Sequence, residues 1–146
     1  MRKFKQKHYE CALASMCMAT GKSYPLHSRK FHKTNGFMFG DAPNRQEWLR
    51  VAEAYLQELN HGVKPDWFYG RPIDFPPIDQ RISLVGQGVL SVIRGCNRHT
   101  MAFCNKKVYD PQESYIVSWR EWKKRNPRWK VYNVTRMETT KNIYLR

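Results

Sequence analysis

Negative charge is scarce in this chain. Its 146 residues hold 12 Asp and Glu against 26 Lys and Arg, a formal charge of +14. A surface of that sign draws polyanions such as nucleic acid, anionic membrane or an acidic protein, although basicity alone reads no sequence. Internal repeats and low-complexity tracts are absent too, which excludes a repeat array or a disordered tail as the main feature. The apolar run from Cys11 to Gly21 is far too short to span a bilayer. A basic Met1-Arg2-Lys3-Phe4-Lys5 start ahead of that run invites a signal-peptide reading. The intervening Gln6-Lys7-His8-Tyr9-Glu10 and the polar atoms within the run argue against one, so the expected location is cytoplasmic. Cysteine is sparse: Cys11, Cys17, Cys96 and Cys104 form no dense framework, and free thiols are expected.

What is present is a foldable composition, 41% hydrophobic and 14% aromatic, in a length that suits one domain with a real core. Cys11 to Gly21 reads as a buried central helix, apolar nearly all round and closed by a glycine. A short helix is expected within Tyr24 to Lys33, followed by a Thr34-Asn35-Gly36 turn. Asn44 to Asn60 is the clearest helix, with Trp48, Val51, Ala52, Tyr55, Leu56 and Leu59 on one stripe and Asp41 or Asn44 as its cap. Residues 63–82 are rich in proline and aromatics and read as an irregular connector. Strands follow at Val89–Ile93 and His99–Phe103, then Lys107–Tyr109 across an Asn105-Lys106 turn. Ser118-Trp119-Arg120-Glu121 is a capping box opening a basic helix, and Trp129 to Val134 is a last strand. Helices first and a meandering antiparallel sheet second is an α+β order. A single domain spanning 1–146 is expected, helical over 1–62 and sheet over 83–146, with the central helix packed on the sheet.

Cys11 falls at the first turn of its helix, where free backbone N–H groups and the helix dipole favour an anion and hence a thiolate. Thiol catalysis also needs a base and a group that orients the base. His99 at the start of one strand and Asp110 at the end of its hairpin partner are brought side by side by antiparallel pairing. Taken singly, each residue has a plainer reading: a buried thiol is a small hydrophobe, an Asp before Pro is a turn residue, a lone His is structural. Order and context together favour the chemistry.

The pattern also resembles a known family. Gln6, then Glu10-Cys11-Ala12-Leu13-Ala14-Ser15-Met16, looks like the papain-like arrangement of a glutamine shortly before a cysteine that opens an Ala-rich helix. Gly88-Val89-Leu90-Ser91-Val92-Ile93-Arg94, His99-Thr100-Met101-Ala102-Phe103 and Val108-Tyr109-Asp110-Pro111 resemble the bacteriocin-leader-processing (double-glycine) peptidase branch and its stand-alone relatives. The resemblance implies a papain-like fold and a cysteine peptidase or amidase that cuts a peptide or isopeptide bond without a cofactor or metal. Cys11 would be nucleophile, His99 base and later acid, Asp110 its orienter, and Gln6 an oxyanion donor. The partner would be a protein or peptide substrate, with no membrane attachment. The same triad could also pass an acyl group to an amine.

Two further readings use some of the same residues. His8, Cys11, Cys17, Cys96, His99 and Cys104 include enough ligand types for structural zinc. Their spacings match no familiar knuckle, and Cys104, five positions beyond His99, falls on the opposite face of a regular strand. In the tail, Trp119, Arg120, Trp122, Lys123, Lys124, Arg125, Arg128, Trp129 and Lys130 interleave aromatics with cations. That pattern serves base stacking, or more simply an amphipathic helix with its tryptophans turned inward. A catalytically idle fold holding an acidic protein or nucleic acid on this positive face is therefore the alternative to an enzyme.

Overall fold

The computed structural model of the chain describes residues 1–7, 9–40, 44–60, 82, 84–95 and 97–137. His8, Asp41, Cys96, almost all of the 63–82 connector and the Trp48 side chain lie outside the described residues.

Helix α1 (Cys11–Thr20) buries every residue from Leu13 to Thr20. Of its two buried hydroxyls, Ser15 and Thr20, the second turns back to the Met16 carbonyl at 2.6 Å. Gly21, at φ 73°, takes the left-handed turn that stops the helix and donates to Cys17 O. Helix α2 (Tyr24–Asn35) starts at a Ser23 cap and runs two residues beyond the expected Lys33. The extension is held by Asn35 Nδ2 donating to Phe31 O at 3.0 Å, and it ends at Gly36. Helix α3 (Arg45–Leu59) is capped by Asn44, whose side chain accepts from Glu47 N at 2.8 Å. From its stripe, Ala52, Leu56 and Leu59 are buried against α1 and α2, with Val51 and Tyr55 partly so.

The sheet has five strands, β1 (Gln87–Arg94), β2 (Asn97–Cys104), β3 (Lys107–Tyr109), β4 (Ile116–Ser118) and β5 (Lys130–Arg136), in the order β4-β3-β2-β1-β5. All pairings are antiparallel. The fold is thus α+β, as expected, but the sheet is not a simple meander: the last strand returns to pair with the first. The return is close. A Cβ at Gly88 would fall on the Thr135 carbonyl oxygen, so only glycine lets β5 lie against β1 there. β2 begins at Asn97, two residues before the expected start, because Arg94 and Asn97 already pair across the hairpin. β4, with three residues, is too short to show alternation and was not anticipated.

The sheet separates two apolar clusters. One joins Val89, Ala102 and Tyr109 to α1, α2 and α3. The other joins Leu90, Val92, Met101, Phe103, Val108 and Val131 to Trp119 and Trp122 of helix α4 (Trp119–Arg125). The tail tryptophans of α4 therefore pack inward, stacked on each other at 5.7 Å. Among the described residues no helix is long and apolar enough to cross a membrane.

Candidate active site

The edge of β2 explains how α1 meets the sheet. In an antiparallel strand, a residue's N–H and C=O point to the same neighbour, and the direction alternates along the strand. β3 pairs with Ala102 to Cys104 only, because it is three residues long. Thr100, two positions earlier, faces the same way with no strand beside it. The first turns of α1 take that place: Ser15 Oγ donates to Thr100 O at 3.0 Å, and the Thr100 N–H donates to the Cys11 thiol. A short strand thus leaves a docking edge, and the helix start fills it.

The same edge carries the histidine. His99 Nε2 lies 2.6 Å from Asp110 Oδ1. With Nε2 so engaged, Nδ1 is the ring nitrogen left for Cys11, which hydrogen-bonds the imidazole. Three residues widely separated in sequence therefore form one hydrogen-bonded line, Cys11–His99–Asp110.

Burial would by itself raise the Cys11 thiol, but its bond to the His99 ring, the nearby imidazolium charge and the N–H groups of Thr100 and Ala12 outweigh burial and hold it below its usual value. His99 is the mirror case. Burial would lower it, yet the bonds to Asp110 and Cys11 push it up to about 10. Asp110 is likewise held low against burial, chiefly by His99. All three directions favour the thiolate–imidazolium pair beside an ionised carboxylate.

Asp110 is itself fixed. Oδ1 also accepts from Gln112 N at 3.0 Å, and Oδ2 accepts from Trp122 Nε1 at 3.4 Å. The lead-in chain straps down the loop that follows: Gln6 N donates to Pro111 O at 2.6 Å and Lys3 Nζ to Glu113 O at 2.6 Å. Gln6 therefore lies beside the Asp110–Pro111 corner, half-buried and five residues ahead of Cys11.

On the other side of Cys11, Glu10 is completely buried. Its carboxylate accepts from Tyr24 Oη at 2.6 Å, Ser28 Oγ at 2.9 Å and Phe39 N at 3.1 Å. The residue just before Cys11 is thereby tied to α2 and to the loop after it. Gly40 closes the same corner, since an added Cβ would meet the Tyr9 backbone at 2.7 Å.

Sequence reasoning brought Cys11, His99 and Asp110 together and placed Gln6 nearby. It did not assign Trp122, read only as packing, as the indole that holds Asp110. Nor did it find the Glu10 anchor. A carboxylate directly before an apolar helix was the available signal, and a Tyr and a Ser spaced four apart on α2 were its unrecognised partners. The zinc set does not assemble among the described residues, where no three His, Cys, Asp or Glu side chains converge on a metal-sized site. Cys17 lies in the apolar core, and Cys104 packs against that same cluster, away from His99; His8 and Cys96 lie outside the described residues. Comparison with protein-family models, curated proteins and solved structures finds no match to this chain.

Proposed function

We propose that the chain is a papain-like cysteine peptidase or amidase acting through Cys11, His99 and Asp110. The observation that supports this most is the hydrogen-bonded line itself: a thiol held low, an imidazole held high and a carboxylate 2.6 Å behind it. The Cys11 sulfur attacks the substrate carbonyl carbon, a C–S bond forms, and the carbonyl π pair moves onto oxygen. The Cys11 backbone N–H and the Gln6 side chain stabilise that oxyanion. As the intermediate collapses, the C–N bond breaks and the leaving nitrogen takes the proton from His99. Water, giving its proton back to His99, then adds to the thioester carbon; collapse releases the acid and restores the pair. An amine in place of water would make the same site an acyltransferase.

The test is alkylation of the folded protein with iodoacetamide, located by mass spectrometry. Cys11 should react well before Cys17, Cys96 and Cys104 at neutral pH, and equal rates at all four would remove the proposal. Once a substrate is found, Cys11→Ala should abolish turnover, and Gln6→Ala should lower it by about 10²-fold, the scale of losing one oxyanion donor. The charge of +14 supports the second reading, an idle fold that binds a polyanion. Full biological effect in Cys11→Ala, lost on charge reversal at Lys123, Lys124 and Arg125, would select that one.

A further inference from the structure

The sheet end that carries His99 is unusually rich in cations. β1 leaves there and β2 and β5 begin there, so register gathers residues from all three. Ile93 pairs with both Arg98 and Lys130, one step outward from the pair Val92 and His99, and Arg94 lies one step further. Arg128 stands two residues before Lys130. No Asp or Glu occurs from Arg81 to Tyr109, or from Trp122 to Met137. Among the described residues no carboxylate pairs with Arg94, Arg128 or Lys130. Asp110, which reaches His99, is already engaged by His99, Gln112 and Trp122.

Two of these cations are led to the catalytic pair by aromatic side chains. The Arg94 guanidinium lies over the Trp129 ring at 5.2 Å, and that ring meets His99 edge-on at 6.3 Å between centroids. On the other flank, β5 bulges opposite Ser91 and Val92. The Tyr132 phenol at that bulge is hydrogen-bonded to Ser91 and Arg98 and lies within the electrostatic reach of Cys11. Bulges re-aim side chains in this way beside active sites. The pair Cys11–His99 is thus bracketed by Arg94 through Trp129 and by Arg98 through Tyr132.

We infer that this rim is a subsite for acidic side chains, so that the Cys11 thiol acts on peptides carrying Asp or Glu beside the bond to be cut. The inference rests on the thiol-hydrolase reading above. A peptide fits better than nucleic acid because, among the described residues of the rim, Trp129 already has Arg94 over its ring and Tyr132 is buried, which leaves little aromatic face for base stacking. Cations around a desolvated site also act on encounter and orientation, the two steps in which a charged peptide differs from a neutral one.

The experiment uses three peptidyl vinyl sulfones that differ only in carrying Glu, Gln or Lys next to the warhead. Thiolate addition forms a C–S bond at the β-carbon, and the α-carbon takes a proton from His99, so labelling of Cys11 is read as a mass shift. The expected order is Glu over Gln over Lys, with Glu about tenfold faster than Lys at low ionic strength and the gap closing as salt rises. Arg94→Gln with Arg98→Gln should shrink the Glu-to-Lys ratio, and Lys124→Gln on α4 should leave it unchanged. The salt series on the unmodified protein decides the matter even if the double variant does not fold. Equal rates for the three probes, with iodoacetamide still selecting Cys11, overturn the subsite and spare the thiol reading. Loss of iodoacetamide selectivity overturns both. A flat probe series combined with protection of Cys11 by a 20-nucleotide single-stranded DNA would assign the rim to nucleic acid and also overturn the inference.

Discussion

The two ends of α1 carry the same residue in opposite chemical states. Cys11 stands in the first turn and Cys17 in the last, and packing around each thiol is dense enough that burial alone raises both. Yet Cys17 is pushed up to about 12, and Cys11 is held below an ordinary thiol. What differs is the company. Cys17 meets the apolar core of α1, α2 and α3, with only the distant Lys22 charge to favour a thiolate. Cys11 meets an imidazole and two backbone N–H groups. The Cys11 thiol is held low by what the sheet edge supplies, and burial by itself would raise it.

The contrast can be broken most completely at His99. His99→Ala removes the base and the positive charge, so the reactivity of Cys11 toward iodoacetamide at pH 6 should fall by about 10²-fold, toward that of Cys17. A rate that stays high would assign the activation to the helix start alone. Combining Cys11→Ala with His99→Ala should cost turnover little more than Cys11→Ala alone, because the groups act as a unit.

Asp110→Asn comes next. The imidazolium loses the carboxylate that raises it, so His99 should move down and the Cys11 thiol up. Reaction of the parent protein should persist to lower pH than that of an ordinary thiol, since Cys11 is held below its usual value and His99 stays protonated up to about 10. In Asp110→Asn the rate at pH 6 should fall about tenfold for each unit by which the thiol rises. A pH profile identical to the parent's would mean that Asp110 only shapes the turn.

The fold was legible where local signals and tertiary demand agreed. Helix starts at Asn44 and Ser118 were marked by side chains that accept from the residue three further on. The triad was legible because chain order placed a helix-start thiol, a strand histidine and a hairpin-partner aspartate on converging ends. The pairing of β5 with β1, the short β4 and the Trp122 bond to Asp110 depend on contacts between distant segments, and periodicity does not carry those. Glu10 sits between the two cases: its burial shows only when Tyr24, Ser28 and Phe39 N are brought around it.

Glu10 sharpens the comparison further. Glu10→Gln puts an amide N–H₂ among three donors, so the protein should lose about 1–3 kcal/mol of stability, read as a lower thermal midpoint. The preference for Cys11 over Cys17 should shift less than in Asp110→Asn, because Glu10 holds the backbone and does not touch the thiol. Trp122→Phe should give the smallest change, about twofold to threefold in Cys11 alkylation. Its bond to Asp110 is long at 3.4 Å, and the carboxylate keeps its two other donors.

The three-residue length of β3 has a consequence in time. By leaving Thr100 uncovered, it makes Cys11 wait for a partner that is synthesised some ninety residues later. On the ribosome α1 emerges early, with its thiol in the ordinary protonated form, while the chain around it is unfolded and vulnerable. Only after β2, β3 and the Asp110 corner have been made and closed onto α1 does that sulfur meet the groups that hold its thiol low. Such distant pairings form slowly, because loop closure precedes their reward. On the proposed thiol chemistry, the order of synthesis would act as a safety catch: the sulfur is made first and armed last, and a chain cut short before Asp110 would carry the cysteine without its activating partners.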